Sequence, residues 1–496
     1  MHGRGKSDGP VVPAKPPNNA ASAVAEVGEE RGPAEGNAVS ETRPGRRAGV
    51  SVSSELSRVR QAARKDKDVR FTALLHHVTV ERLEEAYRAI RPGAAPGVDG
   101  VTWRDYGQDL EANLRDLHAR VHRGAYRARP SRRSYIPKAD GRLRPLGVAS
   151  LEDKIVQRAV VGVLNAIYEQ DFLGFSYGFR PGRSPHQALD ALAAAIKRRK
   201  VNWVLDADIR DYFTSLDHPW LGSFLEHRIA DTRVLRLIQK WLKAGVIEDG
   251  KWSETDQGTP QGASVSTLLA NVYLHYVFDL WVHQWRRRQA RGEVIVVRYG
   301  DDFVVGFQHR GDAERFWAAL RERFAKFGLW LHEEKTRLIE FGRFAAQSRE
   351  ARGLPKPETF EFLGFTHISA KSRAGWFKLQ RITSKKRLRA KLREVKTELM
   401  RRRHLPIAEQ GRWLESVVRG HGGYYAVPDN SQAITAFRNG VTRHWRRALS
   451  RRGQRSRVNW ARMRRIADHW LPIPRIVHPW PDERFDVRTQ GRSPVR

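Results

Sequence analysis

Arg298-Tyr299-Gly300-Asp301-Asp302-Phe303 places two adjacent carboxylates at the tip of a predicted hairpin. Runs of β-branched and aromatic residues at 293–297 and 303–307 are typical of strands. The Gly-Asp pair between the runs is typical of a tight turn. We therefore expect two strands to present Asp301 and Asp302 at their shared end. An Asp-Asp turn is by itself usually a solvated turn, so its interpretation depends on the rest of the chain.

A second acidic stretch ends another predicted strand, at 201–209. Apolar residues dominate its first half, which indicates burial. Because a carboxylate is costly inside a sheet, an acid in this strand needs a partner or a metal ion. The twofold period of a strand puts Asp206 and Asp208 on the same face, and only one of them need be functional.

The composition indicates a large protein that binds a polyanion. A chain of 496 residues is long enough for two or three domains. Its 90 Lys and Arg against 55 Asp and Glu give a formal charge of +35, which favours nucleic acid as the partner. The absence of cysteine excludes disulfides, a zinc ribbon and thiol catalysis, and it fits a reducing cytosol.

The sequence carries no recognisable targeting or membrane segment. It contains no run of about 18 apolar residues that would predict a membrane span. The N-terminus lacks the apolar region of a secretory signal, and its repeated glutamates argue against a transit peptide. We therefore expect a cytoplasmic protein, in the bacterial cytosol or nucleoid, without a membrane partner.

The chain divides into five predicted segments. Residues 1–68 are rich in Gly, Pro, Ala, Ser and charge without apolar periodicity, which predicts a disordered basic arm. Helical spacing marks an N-terminal extension at 69–130. Strand and helix patterns alternate through 131–370. A helical region follows at 371–480, and 481–496 is a tail.

Two loops carry groups that suit a nucleotide. The stretch 134–147 reads as a hairpin with an Asp-Gly turn, which places Lys138 and Arg144 on either side of that turn. Both cations could reach one phosphate, although two solvated surface charges are an equal alternative. The Gly-rich loop 256–264, which contains Gln261 and Gly262, opens a long apolar helix. Backbone amides at such a helix start suit a phosphate.

The helical region combines an apolar stripe with dense positive charge. Leu388, Leu392, Val395 and Leu399 share one helix face. Basic residues on a helix are often only solvated, but here they recur and alternate with Trp and Tyr, which favours a grip on RNA. The residues we expect to bind RNA are Lys385, Lys386, Arg387, Arg389, Lys391, Arg393, Arg446 and Arg447.

Asp208, Asp301 and Asp302 together suit nucleotidyl transfer. A polymerase brings a primer hydroxyl against the α-phosphate of a nucleoside triphosphate, while charge builds on the attacking and leaving oxygens. Two Mg²⁺ ions can both position the hydroxyl against the phosphate and neutralise the charge that builds up. They need hard oxygen ligands clustered on a rigid platform. Adjacent strands supply such a platform.

The order of these motifs resembles that of the group II intron reverse transcriptase/maturase family. The resemblance covers about residues 71 to 485. The stretches that carry it are 93–100, 136–147, Ala207-Asp208-Ile209 with Phe213, Gly258-Thr259-Pro260-Gln261-Gly262, Tyr299-Gly300-Asp301-Asp302, Glu334-Lys335-Thr336, Phe362-Leu363-Gly364-Phe365, Trp413-Leu414 and 420–428.

The resemblance implies an α+β right-hand polymerase, with fingers, an antiparallel palm sheet and a helical thumb or maturase domain. It implies RNA-directed DNA synthesis with two Mg²⁺ ions, or Mn²⁺ in their place. The implied partners are intron RNA, an RNA template, a DNA primer or target, and dNTPs. Asp208, Asp301 and Asp302 would hold the metal ions, with the Ile209 carbonyl as a further ligand.

The resemblance also assigns the groups that would contact the incoming nucleotide. Phe213 occupies the sugar-gate position, where a bulky ring excludes a ribose 2′-hydroxyl. The other contacts would be Lys138, Arg144, Gln261, Gly262 and Lys335.

Two departures from the family pattern bear on these expectations. Gly300 stands where alanine is more common, a change expected to spare the carboxylates but to loosen the hairpin. The paired cysteines of a C-terminal DNA-cutting domain are missing, so we expect a member that lacks this endonuclease and depends on existing nicks or single-stranded DNA.

Two alternatives stay open at this point. One is a splicing-only, RNA-binding maturase without polymerase activity, although the intact set of acids speaks against it. The other is a freestanding reverse transcriptase domesticated for a host task such as phage defence. An RNA-dependent RNA polymerase fits less well.

Overall fold

We analysed a computed structural model, which describes residues 50–137, 143–248, 250–254, 257–259, 263–453 and 457–484. It shows α-helices together with mainly antiparallel sheets, so the α+β prediction is confirmed at that level. The helices are α1 (Val50–Lys65), α2 (Val80–Arg88), α3 (Trp103–Tyr106), α4 (Leu110–His122), α5 (Leu151–Asp171), α6 (Pro185–Arg198), α7 (His218–Glu226), α8 (Thr232–Leu242), α9 (Ser264–Leu274), α10 (Leu280–Arg288), α11 (Arg310–Lys326), α12 (Ala345–Ala351), α13 (Lys385–Arg401), α14 (Ile407–Tyr425), α15 (Ser431–Ser450) and α16 (Trp460–Trp470).

The strands form three sheets. They are β1 (Ser131–Pro137), β2 (Leu143–Val148), β3 (Trp203–Asp208), β4 (Val246–Glu248), β5 (Lys251–Ser253), β6 (Val294–Tyr299), β7 (Asp302–Phe307), β8 (Arg337–Glu340), β9 (Phe360–Phe362), β10 (Phe365–Lys371) and β11 (Phe377–Thr383). The strand orders are β2-β1-β4-β5, β6-β7-β3-β8 and β11-β10-β9.

The β6-β7-β3-β8 sheet is buried on both faces. Leu205 and Ala207 of β3 face a large core that includes residues of α5 and α9. Val204, one residue out of phase, faces a second core formed with α6 and the β9-β10-β11 sheet. Because side chains alternate along a strand, Asp206 and Asp208 project on the same side as Val204. This confirms the prediction that the two acids share one face.

The predicted hairpin at 134–147 is confirmed by β1 and β2, which pair antiparallel from Arg132 and Val148 to Pro137 and Leu143. The sheet also contains β4 and β5, short strands that the sequence did not predict. β4 runs parallel to β1 and antiparallel to β5. A three-residue strand carries too few residues for a recognisable alternation.

The stretch 360–365 contains a tight turn between β9 and β10, across which Phe362 is paired with Phe365. Leu363 and Gly364 have φ values of 49° and 82°, the left-handed backbone that both central residues of a type I′ hairpin turn need. The hairpin continues through β11 to Thr383. The first helix after the predicted boundary at 371 is α13, which begins at Lys385.

The predicted disordered arm at 1–68 is wrong for its last part. Residues 50–65 form α1, and its apolar side chains Leu56, Val59 and Ala63 are buried in the large core. These side chains follow helical spacing. The helix nevertheless depends for its stability on the burial of these side chains against residues that are distant in the chain. Residues 1–49 lie outside the described part of the chain.

The helical region has its own core. The predicted stripe is confirmed, because Val395 and Leu399 are buried there and Leu388 and Leu392 pack against it. Trp445 of α15 is fully buried, and its indole donates a hydrogen bond of 2.8 Å to Gln410 of α14. Among the described residues, no helix combines the length and apolar character that crossing a bilayer requires.

Candidate active site

The acids predicted from separate parts of the chain lie at one edge of the β6-β7-β3-β8 sheet. β3 and β7 pair antiparallel, with Asp208 directly opposite Asp302. Cross-strand partners have Cβ atoms about 5 Å apart. Asp301 occupies the turn between β6 and β7, immediately before Asp302. We call the group of Asp208, Asp301 and Asp302 the acidic edge.

Gly300 suits the turn that carries Asp301, so the expectation that it would loosen the hairpin is wrong. Tyr299 and Asp302 are paired across the hairpin, which leaves Gly300 and Asp301 as the turn. Gly300 has φ of +69°, whereas Asp301 has no positive φ. This is the pattern of a type II′ turn, in which glycine is favoured at the first central position.

The turn also packs tightly against the segment that follows α5. A Cβ atom added to Gly300 would lie 2.7 Å from Cε2 of Phe179. Phe179 also makes an edge contact with Phe213, at a ring-centroid distance of 6.2 Å. One aromatic ring therefore joins the acidic edge to the predicted sugar gate. Phe179 is not among the residues predicted from the sequence, and its only local signal is the Pro181-Gly182 turn that follows it.

The electrostatics of the acidic edge oppose full ionisation. The pKa of Asp302 is raised well above its ordinary value, first by burial and then by the charges of Asp301, Asp206 and Asp208. Burial likewise raises the pKa of Asp206 to about 7, against the opposing effect of Arg337, whose guanidinium lies 3.7 Å from the Asp206 carboxylate. The carboxylates at and beside the acidic edge therefore carry more negative charge than the nearby cations neutralise.

The donors at the acidic edge are of the kind that Mg²⁺ prefers. Within the described residues, however, no three acidic or histidine side chains converge closely enough to form a metal site. The Asp208 carboxylate instead forms an ion pair with the ammonium of Lys335. The chemistry of the side chains thus fits divalent cations, while their present arrangement pairs Asp208 with a lysine.

The backbone of Ile209 faces the acidic edge. Ile209 and Leu331 form an isolated antiparallel bridge. Its two hydrogen bonds join the neighbouring residues. Arg210 N–H donates to the Trp330 carbonyl, and His332 N–H donates to the Asp208 carbonyl, both at 2.8 Å. In an antiparallel pair of this type, the N–H and C=O groups of Ile209 itself point to the opposite side. That side is the one on which β7 lies.

Phe213 lies in a short 3-10 turn, Tyr212–Thr214, shortly after β3. Its ring is half-buried, and its carbonyl accepts a 2.7 Å hydrogen bond from the N–H of Thr259. The N–H of Gly258 donates to the Leu216 carbonyl at 2.7 Å. The start of the Gly-rich loop is therefore fastened to the segment that carries Phe213.

Several predicted nucleotide contacts lie outside the described residues, namely Lys138, Gln261 and Gly262. The backbone of Arg144 is described, and it lies opposite Ile136 in the β1-β2 pair. Ala263, which follows the undescribed part of the Gly-rich loop, precedes α9. The prediction that this loop opens a long apolar helix is confirmed.

The predicted RNA-binding residues fall into two groups. Most of them are exposed, and these are Lys385, Lys386, Arg387, Arg389, Arg393 and Arg447. The other two are engaged within the protein. Lys391 forms an ion pair with Glu394 at 2.7 Å, and Arg446 lies 4.3 Å above the ring of Trp460 and donates to the Val458 carbonyl.

Comparison with known proteins agrees with this arrangement. Residues 136–367 match the family described as reverse transcriptase (RNA-dependent DNA polymerase). Protein YkfC of Escherichia coli (strain K12) is 34% identical over 288 residues, which are 51% of this chain and 75% of YkfC. Group II intron-encoded protein LtrA of Lactococcus lactis subsp. cremoris is 34% identical over 240 residues, which are 48% of this chain and 39% of LtrA. The chain belongs to the group II intron reverse transcriptase/maturase family.

The chain is also similar to Nuclear intron maturase 3, mitochondrial, of Arabidopsis thaliana, which is 26% identical over 129 residues, 26% of this chain and 18% of that protein. The residues matched by the family, 136–367, contain the whole acidic edge, Phe213 and Lys335. The helices α13 to α16 follow this region.

Proposed function

We propose that this protein is an RNA-directed DNA polymerase that also binds group II intron RNA and assists its splicing and mobility. The observation that carries the proposal is the placement of Asp208 directly opposite Asp302, with Asp301 in the adjoining turn. The paired strands thus bring three residues that carry carboxylates to one edge of the sheet. Two-metal nucleotidyl transfer needs oxygen donors in such a grouping.

Asp208, Asp301, Asp302 and the Ile209 carbonyl would hold two Mg²⁺ ions, or Mn²⁺ in their place. Bound there, the cations neutralise charge on the attacking and leaving oxygens. Lys335 would leave Asp208 and bind the triphosphate, because the phosphates offer its ammonium several oxygens in place of one carboxylate. Lys138, Arg144, Gln261 and Gly262 complete the nucleotide contacts in this proposal.

Phe213 would discriminate between sugars. Its ring is half-buried and in edge contact with Phe179, and its backbone carbonyl accepts a hydrogen bond from Thr259 N–H, so the ring cannot move away easily from a 2′-hydroxyl. A fixed ring that leaves room for deoxyribose excludes ribose by overlap, and this discrimination requires no hydrogen bond.

The layout that supports this chemistry is that of a right hand. The β2-β1-β4-β5 sheet would form part of the fingers, the β6-β7-β3-β8 sheet the palm, and α13 to α16 the thumb. The exposed cations of α13, such as Lys385 and Arg389, would bind phosphates of intron RNA and of the template. Arg387 lowers the pKa of Asp302, so α13 begins close enough to the acidic edge to guide nucleic acid toward it.

The polymerase is tested by Asp301→Ala in primer extension on an RNA template with dNTPs and Mg²⁺. We expect extension to fall by at least about 10³-fold, because about 4 kcal/mol of transition-state stabilisation is lost with a metal ligand. Asp116→Ala is the control, since Asp116 is an exposed acid that pairs with Arg120 on α4. Retained extension by a folded Asp301→Ala variant would refute the catalytic assignment.

Splicing is tested separately, with intron RNA and the Asp208→Ala variant. Splicing assistance that persists without Asp208, in a protein whose wild type extends no primer, would identify a splicing-only maturase. If no intron RNA domains flank the gene, a freestanding reverse transcriptase is favoured instead.

A further inference from the structure

A fully buried arginine lies directly beneath the turn that carries the acidic edge. Arg298 of β6 uses its five N–H groups on four partners. Nε and Nη2 donate to the two oxygens of the Asp279 carboxylate at 2.8 and 2.6 Å, and Nη2 also donates to Ser176 Oγ at 2.7 Å. Nη1 donates to the Asn271 side chain and to the Gly300 carbonyl, both at 2.9 Å.

The partners of Arg298 come from separate elements. Asn271 belongs to α9, and Asp279 ends the π-helical turn His275–Asp279 between α9 and α10. Asn271 also donates a 2.7 Å hydrogen bond to the Gly178 carbonyl. A Cβ atom at Gly178 would lie 2.1 Å from the Gly300 nitrogen. The turn therefore rests on a support built by Arg298 together with residues far away in the chain.

Stability alone does not explain this arrangement. Arg298 and Asp279 are both fully buried, and the cost of removing two charges from water commonly cancels their attraction. Apolar residues of similar volume would often serve a core equally well. Apolar residues, however, cannot donate a hydrogen bond to the Gly300 carbonyl. That carbonyl belongs to the peptide group between Gly300 and Asp301.

We propose that Arg298 is a positioning residue that orients Asp301 and Asp302 for divalent-cation binding by fixing the Gly300 carbonyl. Asp279 and Asn271 hold its guanidinium in the required plane. This inference rests on the proposed function, because it assumes that the acidic edge binds cations. It predicts that Arg298 governs metal affinity without touching the metal, as groups behind metal ligands commonly do.

The test is Arg298→Lys, which keeps the charge but loses the planar fork that spans Asp279 and Gly300. Mn²⁺ binding is measured by electron paramagnetic resonance, with Asp301→Asn as the blank. We expect the dissociation constant for Mn²⁺ to rise about tenfold, in the range seen when such supporting groups are replaced. The Mg²⁺ concentration for half-maximal primer extension should rise equally, with KM for dNTP unchanged.

Arg228→Lys is the matched control. Arg228 is a buried arginine whose Nε donates to Asp171 at 2.9 Å, and its other nitrogens donate to the carbonyls of Ala63, Asp66 and Val69. Both variants lose a buried guanidinium group with its hydrogen bonds, and both should be less stable than the wild type. Only Arg298→Lys should lose Mn²⁺ affinity, because only Arg298 contacts the turn.

Equal Mn²⁺ affinity in wild type and Arg298→Lys, or equal losses in both lysine variants, would overturn the inference. If Arg298→Lys does not fold, Asn271→Ala replaces it, with an expected rise of about tenfold in the dissociation constant; an unchanged value there overturns the inference as well. A wild type that binds Mn²⁺ at the acidic edge but extends no primer would refute the proposed polymerase and leave the positioning role intact.

Discussion

Single carboxylates at the acidic edge carry a cost that a bound cation would remove. The raised pKa of Asp302 reflects its burial and three neighbouring carboxylates, which together exceed the opposing effect of Arg387. Between the pKa of the unfolded chain and that of the folded protein, the folded state holds more protons at Asp302. Stability therefore falls as pH rises through this interval.

We expect Asp302→Asn to raise the melting temperature by a few degrees at pH 8 in the absence of divalent cations, because it removes a buried charge among like charges. The gain should vanish near pH 3, where Asp302 is protonated in both the folded and the unfolded state. Calorimetry at the two pH values measures the difference in melting temperature between variant and wild type. Added Mg²⁺ should stabilise the wild type and not the variant, and equal stabilisation of both would contradict the metal assignment.

Phe213 is the residue at which sugar specificity can be tested. Phe213→Ala should increase rNTP incorporation relative to dNTP by about 10- to 100-fold, the scale on which removal of a small steric exclusion acts. Incorporation of each nucleotide on the same RNA template measures the ratio. Phe344→Ala, at an exposed aromatic residue, serves as the control. An unchanged ratio in Phe213→Ala would mean that another group excludes ribose.

Among the elements, α13 joins two functions in one helix. One face packs Val395 and Leu399 into the helical core, and the other faces carry the exposed cations. Its first turn contains basic residues and no acidic ones. Positive charge at a helix N-terminus is unfavourable, so binding of phosphate there would relieve an existing repulsion.

Arg389→Gln with Arg393→Gln should weaken RNA binding chiefly at low salt. Each lost phosphate contact lowers the magnitude of the slope of log K against log salt by about 0.7 for single strands. The slope measured for the double variant should therefore be smaller in magnitude by about 1.4. Filter binding over a salt series measures this slope. Arg446→Gln is the contrasting variant, since Arg446 is stacked on Trp460, and it should lose thermal stability with little change in slope.

Across the whole molecule, several histidines are buried among the packed elements. His186 of α6 bonds to the Tyr424 carbonyl at 2.8 Å and stacks on His478 with ring centroids 4.0 Å apart. His367 is fully buried and stacks on Phe360 at 4.7 Å. The pKa of each of four such histidines is lowered to about 3, primarily by burial, and these are His186, His275, His367 and His421.

These histidines should make the protein sensitive to acid. As pH falls from about 6.5 toward 3, the unfolded chain takes up protons that the folded protein cannot, so stability is lost. His367→Phe should lessen the loss by about 1.4 kcal/mol per pH unit in this interval. Chemical denaturation at pH 7 and 5 measures the difference. Equal slopes for His367→Phe and wild type would contradict this explanation.

The sequence by itself determined those features that depend on near neighbours. Strand-forming residues and turn chemistry predicted the hairpin around Gly300 and Asp301, and helical spacing predicted the apolar stripe of α13. The order of motifs indicated the family. Such features follow from preferences of a few successive residues, which the chain carries wherever it folds.

Only the tertiary structure decided which distant residues meet. Asp208 and Asp302 are ninety-four positions apart, and β3 could have paired with β7 in another register without changing either strand pattern. The burial of α1, the ion pair of Lys335 with Asp208 and the support of Gly300 by Arg298 depend on the same long-range packing. Burial and charge pairing are collective properties of the folded chain, and no short stretch of sequence records them.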